Sequence, residues 1–121
     1  MASLNSKRFD AADEVRTPDK TRIEIVDVGG LKVAKMTAQP GWRWSECIKP
    51  VAGTDSCQVH HLGVVAEGQL HVVHNDGTEA DLEAGGAYEI TPGHDAWVVG
   101  DVPFIAYEFD RTAVATYARP T

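Results

Sequence analysis

Cys57 and His61 are the two residues of this sequence whose types and spacing point most directly to chemistry. They lie in residues 57–66, the least charged segment of the chain, which predicts a β-strand. Because side chains alternate along a strand, Asp55, Cys57 and His61 would share one face. A regular strand holds residues 57 and 61 about 13 Å apart, so both can bind one ion only where a bulge or curvature closes the gap.

His94 is the third candidate ligand, beside the turn predicted at residues 92–93. From that turn its imidazole can reach toward His61. A thiolate with two imidazoles favours zinc or ferrous iron over magnesium or calcium. Cys57, His61 and His94 are therefore the candidate ligands for a divalent transition metal, zinc or iron.

Two further residues extend this candidate set, and a simpler interpretation stands beside it. Asp55 shares the predicted face of Cys57, whereas His60 has the opposite parity to His61 and is expected to face away from the pocket or into a dimer interface. The alternative is that His61 is a hydrogen-bonding group and Cys57 a small buried hydrophobic side chain. The residues alone leave both open.

Three aromatic side chains are candidates for binding a substrate: Trp44, Tyr88 and Trp97. Trp42 and Trp44 share a face if residues 42–44 are extended, and Tyr88 and Trp97 flank the turn at residues 92–93. Such residues can line a pocket for a flat or apolar ligand. The alternative is core packing or a buried dimer interface.

The elements that must position these residues are short strands. Val and Ile number 19 against 7 Leu and Met, which favours sheet over helix. Eight or nine short segments bounded by Gly, Pro, Asn or Asp predict an all-β antiparallel sandwich or barrel. Residues 1–20 are expected to form a loosely held arm with a helical turn near residues 11–15, residues 21–112 the domain, and residues 113–121 a tail. The predicted strands are Thr21–Val28, 31–37, 57–66, Gln69–His74, 78–82, Ala87–Ile90, 97–99 and 104–109.

Residues 53–97 resemble the two motifs of small single-domain cupins, G-x5-H-x-H-x(3,4)-E-x6-G and G-x5-P-x-G-x2-H. Gly86, Pro92 and Gly93 match the second motif in order, and the turns at residues 67–68 and 75–77 resemble the intermotif hairpin. The runs PGWRWS and PGHDAW look like a bacterial subgroup of unassigned activity. The resemblance implies a cupin-type antiparallel β-barrel, the double-stranded β-helix or jelly roll, over about residues 20 to 110.

The same resemblance changes what can be expected of the metal. Counting back from Gly68 places His61 at the family's glutamate, Cys57 at its second histidine and Asp55 at its first, while Ala96 takes the position of the histidine in the second motif. The usual three-histidine, one-glutamate set for iron or manganese is absent, and dioxygenase or oxalate-type chemistry is not carried over. Two hypotheses follow: a metal-dependent isomerase, lyase or oxygenase for a small organic substrate, or a non-catalytic small-molecule binding or sensing module without metal.

Composition excludes several partners. The net charge is −7 and no basic cluster exceeds Lys7 and Arg8, so neither nucleic acid nor an anionic membrane is an expected partner. No apolar run is long enough to span a bilayer and no signal peptide is recognisable, which predicts a cytoplasmic protein. Two cysteines imply no disulfide framework. Because small cupins usually pair and Thr21–Val28 is expected at a sheet edge, we predict a homodimer.

Overall fold

The computed structural model describes residues 3–118, which contain nine β-strands and three short α-helices. The strands are β1 (Glu14–Arg16), β2 (Thr21–Val28), β3 (Leu31–Ala38), β4 (His61–Glu67), β5 (Gln69–His74), β6 (Glu79–Glu83), β7 (Ala87–Ile90), β8 (His94–Val99) and β9 (Phe104–Glu108). The helices are α1 (Trp44–Cys47), α2 (Lys49–Ala52) and α3 (Arg111–Thr116), and a 3₁₀ turn at Phe9–Ala11 precedes β1. None of the helices described is long and apolar enough to cross a membrane.

The strands form two antiparallel sheets. Six are ordered β1-β2-β3-β9-β4-β7, and the other three are ordered β6-β5-β8. The hydrophobic core includes Ile23 and Met36 from the large sheet and Leu70 and Val98 from the small one. The strands do not join into one closed barrel, and the arrangement is that of a jelly roll. The predicted all-β, antiparallel fold class is confirmed.

Strand β4 shows how the sequence pattern directs side chains into the core. His61, Gly63 and Val65 are buried, whereas Leu62 and Val64 between them are exposed. This alternation is the period of two that a strand imposes. His61 is therefore an inward-facing residue at the start of β4, next to the loop that precedes this strand.

The expected strand at residues 57–66 begins later than predicted. Residues 58–60 are irregular, and Cys57 instead forms an isolated antiparallel bridge with His94. The Cys57 N–H donates to the His94 carbonyl at 2.8 Å, and the Gly93 N–H donates to the Cys57 carbonyl at 2.7 Å. The chain therefore bends between Cys57 and His61, which brings the two side chains closer together than a regular strand would allow.

Arg43 is extended, and helix α1 begins only at Trp44. The Trp42 ring is buried and its Nε1–H donates to Thr21 Oγ1 at 2.8 Å. From Arg43 the backbone turns, and the Arg43 carbonyl accepts the N–H groups of Glu46 and Cys47. Arg43 pairs with Trp97 in an isolated antiparallel bridge, so Trp42 and Trp44 are both buried, although Trp44 already belongs to the first turn of α1.

The N-terminal segment also differs from expectation. The predicted helical turn near residues 11–15 is wrong, because the 3₁₀ turn ends at Ala11 and Glu14–Arg16 pairs with β2. Strand β2 therefore has neighbours on both sides, β1 and β3, and is not at the edge of the sheet. The edge strands of the large sheet are β1 and β7.

Gly68 lies in the turn between β4 and β5, where the backbone at Pro103 approaches it closely. A Cβ there would lie 2.3 Å from the Pro103 carbonyl oxygen, whereas a Cβ at Gly77 would meet nothing within 4 Å. Both glycines have positive φ, +78° and +93°.

We expect Gly77→Ala to lower the free energy of unfolding by about 1–2 kcal/mol from backbone strain. Gly68→Ala should lower it by about 1–3 kcal/mol more, because its Cβ would also clash with the Pro103 carbonyl. Denaturant unfolding measures both, and equal losses would contradict the close approach.

Candidate metal centre

Cys57, His61 and His94 converge in the structure. One ligand atom from each lies within 4.8 Å of the others, and all three residues are buried. Cys57 Sγ is 3.5 Å from His61 Nε2, and the centres of the two imidazole rings are 5.3 Å apart. His61 begins β4, His94 begins β8, and the isolated bridge at Cys57 connects the loop to β8. The two sheets and one loop therefore each supply one residue.

Each histidine is fixed through its Nδ1 atom. His61 Nδ1–H donates to Glu108 Oε1 at 2.7 Å, and His94 Nδ1–H donates to the Thr91 carbonyl at 2.9 Å. The Nε2 atom of each ring is then the nitrogen available to the cluster. Histidines that bind metals commonly donate their other N–H to a carboxylate or a carbonyl in this way, because that bond fixes both the tautomer and the ring orientation.

Glu108 is held by a second donor across three strands. The Tyr88 hydroxyl donates to Glu108 Oε2 at 2.6 Å. Gly63 of β4 is the register partner of both Tyr88 in β7 and Glu108 in β9. A Cβ at Gly63 would lie 2.8 Å from the Tyr88 hydroxyl oxygen and 2.5 Å from the Tyr107 carbonyl oxygen. The absence of a side chain at Gly63 therefore lets Tyr88 reach over β4 to Glu108.

The protonation of these groups is strongly coupled. Burial raises the pKa of the Cys57 thiol, but hydrogen bonds to His61 and His94 and the charges of those rings outweigh burial and lower it to about 7. Burial lowers the pKa of His61, but the charge of Glu108 and the hydrogen bonds to Cys57 and Glu108 raise it to about 10. The pKa of Tyr88 is raised by burial and by the Glu108 carboxylate. The cluster thus favours a thiolate beside an imidazolium.

The donor set matches the requirements of zinc or ferrous iron. Typical zinc bond lengths and tetrahedral angles place a ligating sulfur and nitrogen about 3.6 Å apart. The Cys57 Sγ–His61 Nε2 distance is 3.5 Å, and the remaining pairs lie within 4.8 Å, so they need to close by about an ångström at most. The sulfur and two nitrogens therefore fit one such ion.

The cavity beside the cluster is small and mostly apolar; we call it the inner cavity. It leaves about 20 Å³ for a water-sized sphere. That is room for one water molecule or one ion. His61 and His94 line it together with Met36, Trp42, Trp44, Leu70, Tyr88, Ile90, Ala96, Phe104, Glu108 and Tyr117.

Two of the three predicted substrate-binding aromatics line this cavity, Trp44 and Tyr88. Trp97 does not, because His94, Ala96 and Val98 face inward along β8 and Trp97 therefore faces outward. Its ring lies under the Arg43 guanidinium, whose Cζ is 4.2 Å from the ring centroid.

The two further ligand candidates lie outside the cluster. The side chain of Asp55 is fully exposed and is 3.9 Å from Lys49 Nζ. His60 faces outward, and its two ring nitrogens donate to Asp110 at 2.7 Å and to Glu89 at 2.8 Å. Hydrogen bonds to these two carboxylates raise the pKa of His60. His60 therefore faces away from the cavity, as the alternation of side chains along the strand predicts.

Sequence reasoning missed Glu108 and Tyr117. Glu108 lies 47 positions after His61, and Tyr117 belongs to the segment expected to be a tail. The Tyr117 ring packs edge-on against His61 with centroids 5.0 Å apart. For Glu108 one signal was available: it has the same parity in β9 as the apolar residues Phe104 and Ala106.

Comparison with known proteins identifies the architecture. No protein-family model matches the sequence, and no curated protein matches it. A solved structure of a protein of unknown function from Acidithiobacillus ferrooxidans has a TM-score of 0.62 and 15% identity, covering 91% of this chain and 99% of that one. A cupin-like protein from Thermotoga maritima has a TM-score of 0.52 and 14% identity, covering 94% and 83%.

A variant of oxalate decarboxylase from Bacillus subtilis has a TM-score of 0.61 and 14% identity, covering 93% of this chain and 30% of the decarboxylase. The chain has the cupin fold. At these identities the similarity shows the fold alone. The expected cupin architecture is therefore confirmed, and what this cupin binds must be argued from its own residues.

Tyr88→Phe tests the hydrogen bond that orients Glu108. Removing the hydroxyl leaves one buried carboxylate oxygen without its donor, so we expect the free energy of unfolding to fall by about 1–3 kcal/mol. Tyr107→Phe is the matched control, because Tyr107 is half-buried on the outer face of β9, and we expect a change within about 0.5 kcal/mol. Equal effects in denaturant unfolding would show that the Tyr88 hydroxyl does not stabilise the site.

Proposed function

We propose that this cupin binds a divalent transition metal ion, zinc or iron, through Cys57, His61 and His94. The observation that carries the proposal is the convergence of the Cys57 sulfur with two imidazoles whose Nδ1–H groups are already bonded to Glu108 and to the Thr91 carbonyl. A buried thiolate with two oriented imidazoles is a donor set that selects zinc or iron.

The chain's own residues then define the surroundings of the ion. Glu108 holds the His61 ring, and the Thr91 carbonyl holds the His94 ring. The apolar walls of the inner cavity exclude bulk water, which strengthens electrostatic interactions inside it. Three protein ligands leave a coordination position for an external ligand, as in catalytic metal sites. A zinc or iron ion held by these residues would supply Lewis-acid chemistry to an oxygen atom of that ligand.

The proposed activity is that of a metal-dependent isomerase, lyase or oxygenase acting on a small organic substrate. Two points support this class: three protein ligands would leave a coordination position for a substrate, and the aromatic side chains of Trp44 and Tyr88 lie beside the candidate ligands. The fold itself does not select among these reactions. The departure from the usual cupin ligands at Cys57 and Ala96 argues against the best-known reactions of this fold.

A second candidate is a binding or sensing module without metal. One observation favours it: the chain of hydrogen bonds from Cys57 through His61 and Glu108 to Tyr88 satisfies these buried groups without an ion. In this case His61 and His94 hydrogen-bond an organic ligand directly. The two candidates differ in whether the purified protein holds a metal.

Elemental analysis of protein purified without an affinity tag separates them. We expect about one zinc or iron ion per chain in the wild type, because the three donors are buried and oriented. His61→Ala and Cys57→Ser are expected to retain less than about a tenth of that metal. His60→Ala is the control, since His60 is adjacent in sequence but faces outward, and its metal content should match the wild type.

The metal contents of the wild type and the variants distinguish the two candidate functions. Absence of metal from the wild type, including after incubation with zinc or with ferrous iron under anaerobic conditions, would overturn the metal proposal and leave the binding module. Loss of metal in His61→Ala with full metal in Cys57→Ser would exclude Cys57 as a ligand. Far-ultraviolet circular dichroism of each variant shows whether the fold is retained.

Thiol reactivity provides an independent check of Cys57. If the ion is bound to its sulfur, Cys57 should be protected from thiol reagents in the metal-loaded protein and become reactive when a chelator removes the ion. Cys47 should react at the same rate with and without chelator. Mass spectrometry of the labelled peptides distinguishes the two cysteines. Chelator-independent labelling of Cys57 in protein shown to contain metal would contradict ligation by this residue.

A further inference from the structure

The inner cavity is too small for an organic molecule, but a second cavity lies beside it. This outer cavity leaves about 180 Å³ for a water-sized sphere. Trp44 and Tyr117 line both cavities, and Cys57 lines the outer one, whereas His61 and His94 line the inner one. The two spaces therefore adjoin at Trp44 and Tyr117, beside the candidate ligands.

We propose that the outer cavity is the binding site for a small organic ligand and that Tyr117 is the gate between it and the inner cavity, which His61 and His94 line. Tyr117 is only 7% exposed and its ring packs against His61. Movement of this one ring would connect the outer cavity with the inner one. The combined space would suit a molecule of a few heavy atoms, which the inner cavity alone does not.

The backbone at Tyr117 is held by the buried guanidinium of Arg16, which lies about a hundred positions earlier in the sequence. The Arg16 Nη1–H donates to the Tyr117 carbonyl at 2.8 Å, and Nη2–H donates to the Ala115 carbonyl at 3.2 Å. The Arg16 side chain is 5% exposed, and its Nε is 2.7 Å from Glu14. These bonds occupy carbonyls at the C-terminal end of α3, which the helix itself cannot satisfy.

Helix α3 depends on such contacts. It has six residues, too few to be stable without packing. At its other end the Asp110 side chain accepts the Ala113 N–H at 3.0 Å. Arg16 is therefore a positioning residue for Tyr117, and weakening its bonds should release the segment that carries the gate.

The lining indicates the class of ligand. Ile48, Ala52 and Val59 form apolar walls, while Thr54 and Gln58 supply polar groups. Within residues 3–118, the buried Nε1–H of Trp44 has no acceptor. This nitrogen is closed to solvent in the structure, so in this proposal a ligand oxygen reaches it only in the open state of the gate, where it would satisfy an otherwise unpaired donor.

The ligand is accordingly a small, largely apolar molecule with a carboxylate or carbonyl oxygen. That this oxygen also reaches an ion depends on the proposed function. The location of the site and the gating by Tyr117 do not.

Cys57 belongs to the lining of the outer cavity but is only 1% exposed, and its sulfur lies 3.5 Å from His61 Nε2, in the ring that Tyr117 covers. Its reactivity in metal-stripped protein therefore reports movement of Tyr117, whether or not the native protein holds metal. The assay uses methyl methanethiosulfonate as a small reagent, in a Cys47→Ala background. Tyr117→Ala and Arg16→Gln should raise the modification rate about tenfold or more, because both favour the open state. Ala52→Trp should lower it about tenfold by filling the outer cavity. Tyr117→Phe, which keeps the ring, should leave it unchanged.

Matched controls separate gating from general loosening. Arg22→Gln changes an exposed arginine of β2, and Ala84→Trp adds a ring at an exposed position that does not line the outer cavity. Both should have the wild-type rate. Because Arg16→Gln also leaves carbonyls unpaired and lowers stability, the result with Ala52→Trp is decisive. An unchanged rate there, or no acceleration in Tyr117→Ala, would overturn the proposal.

The ligand class is tested in the same assay with two probes of equal chain length. Butyrate should slow modification of Cys57, whereas butylammonium, which has no acceptor oxygen, should not. Protection by butyrate should weaken about tenfold in Trp44→Phe, which removes the N–H but keeps an aromatic ring, and should disappear in Ala52→Trp. Equal effects of the two probes, or no protection by butyrate, would overturn the assignment of an oxygen-bearing ligand. Metal content, measured separately, shows whether the proposed function fails independently.

Discussion

The buried carboxylate of Glu108 is the constraint on which the rest of the site depends. Taking a charge out of water costs several kcal/mol unless hydrogen bonds and an opposite charge compensate. Here the compensation comes from Tyr88 at 2.6 Å and His61 at 2.7 Å. Both contacts require the antiparallel alignment of β7, β4 and β9, and the first requires glycine at position 63. The register of three strands is thereby coupled to the orientation of one imidazole.

The parts of the site that the sequence could predict are those governed by local periodicity. Alternation along β4 and β8 correctly indicates that His61 and His94 share the interior, and it places His60 outside. The same rule, applied from Ala96, indicates that Trp97 faces outward, in disagreement with its assignment to the pocket. Cys57 could be predicted only conditionally, because its proximity to His61 depends on a bend formed by pairing with the backbone of residues 93–94.

The parts that could not be predicted depend on distant segments. The Arg16 bonds to the carbonyls of α3 join residues about a hundred positions apart, and no local pattern announces them. Likewise, the bridge between Arg43 and Trp97 joins residues far apart in the sequence just before the chain turns into α1 at Trp44. In both cases the contact is tertiary, and local preference does not determine it. Arg16 and Tyr117, from the segments expected to form an arm and a tail, are therefore buried next to the site.

The hydrogen bonds among Cys57, His61 and Glu108 also bear on whether folding depends on a metal ion. In structural zinc sites the donors repel or remain unsatisfied without metal, so the ion contributes the folding energy. Here the Cys57 sulfur, His61 and Glu108 form a satisfied series without an ion, and the surrounding core is formed by two packed sheets. Under the proposed function the fold would not depend on the ion. The protein could then lose and regain metal while folded, and the rate of exchange would be set by the packing of Tyr117 over the cluster rather than by unfolding of the chain.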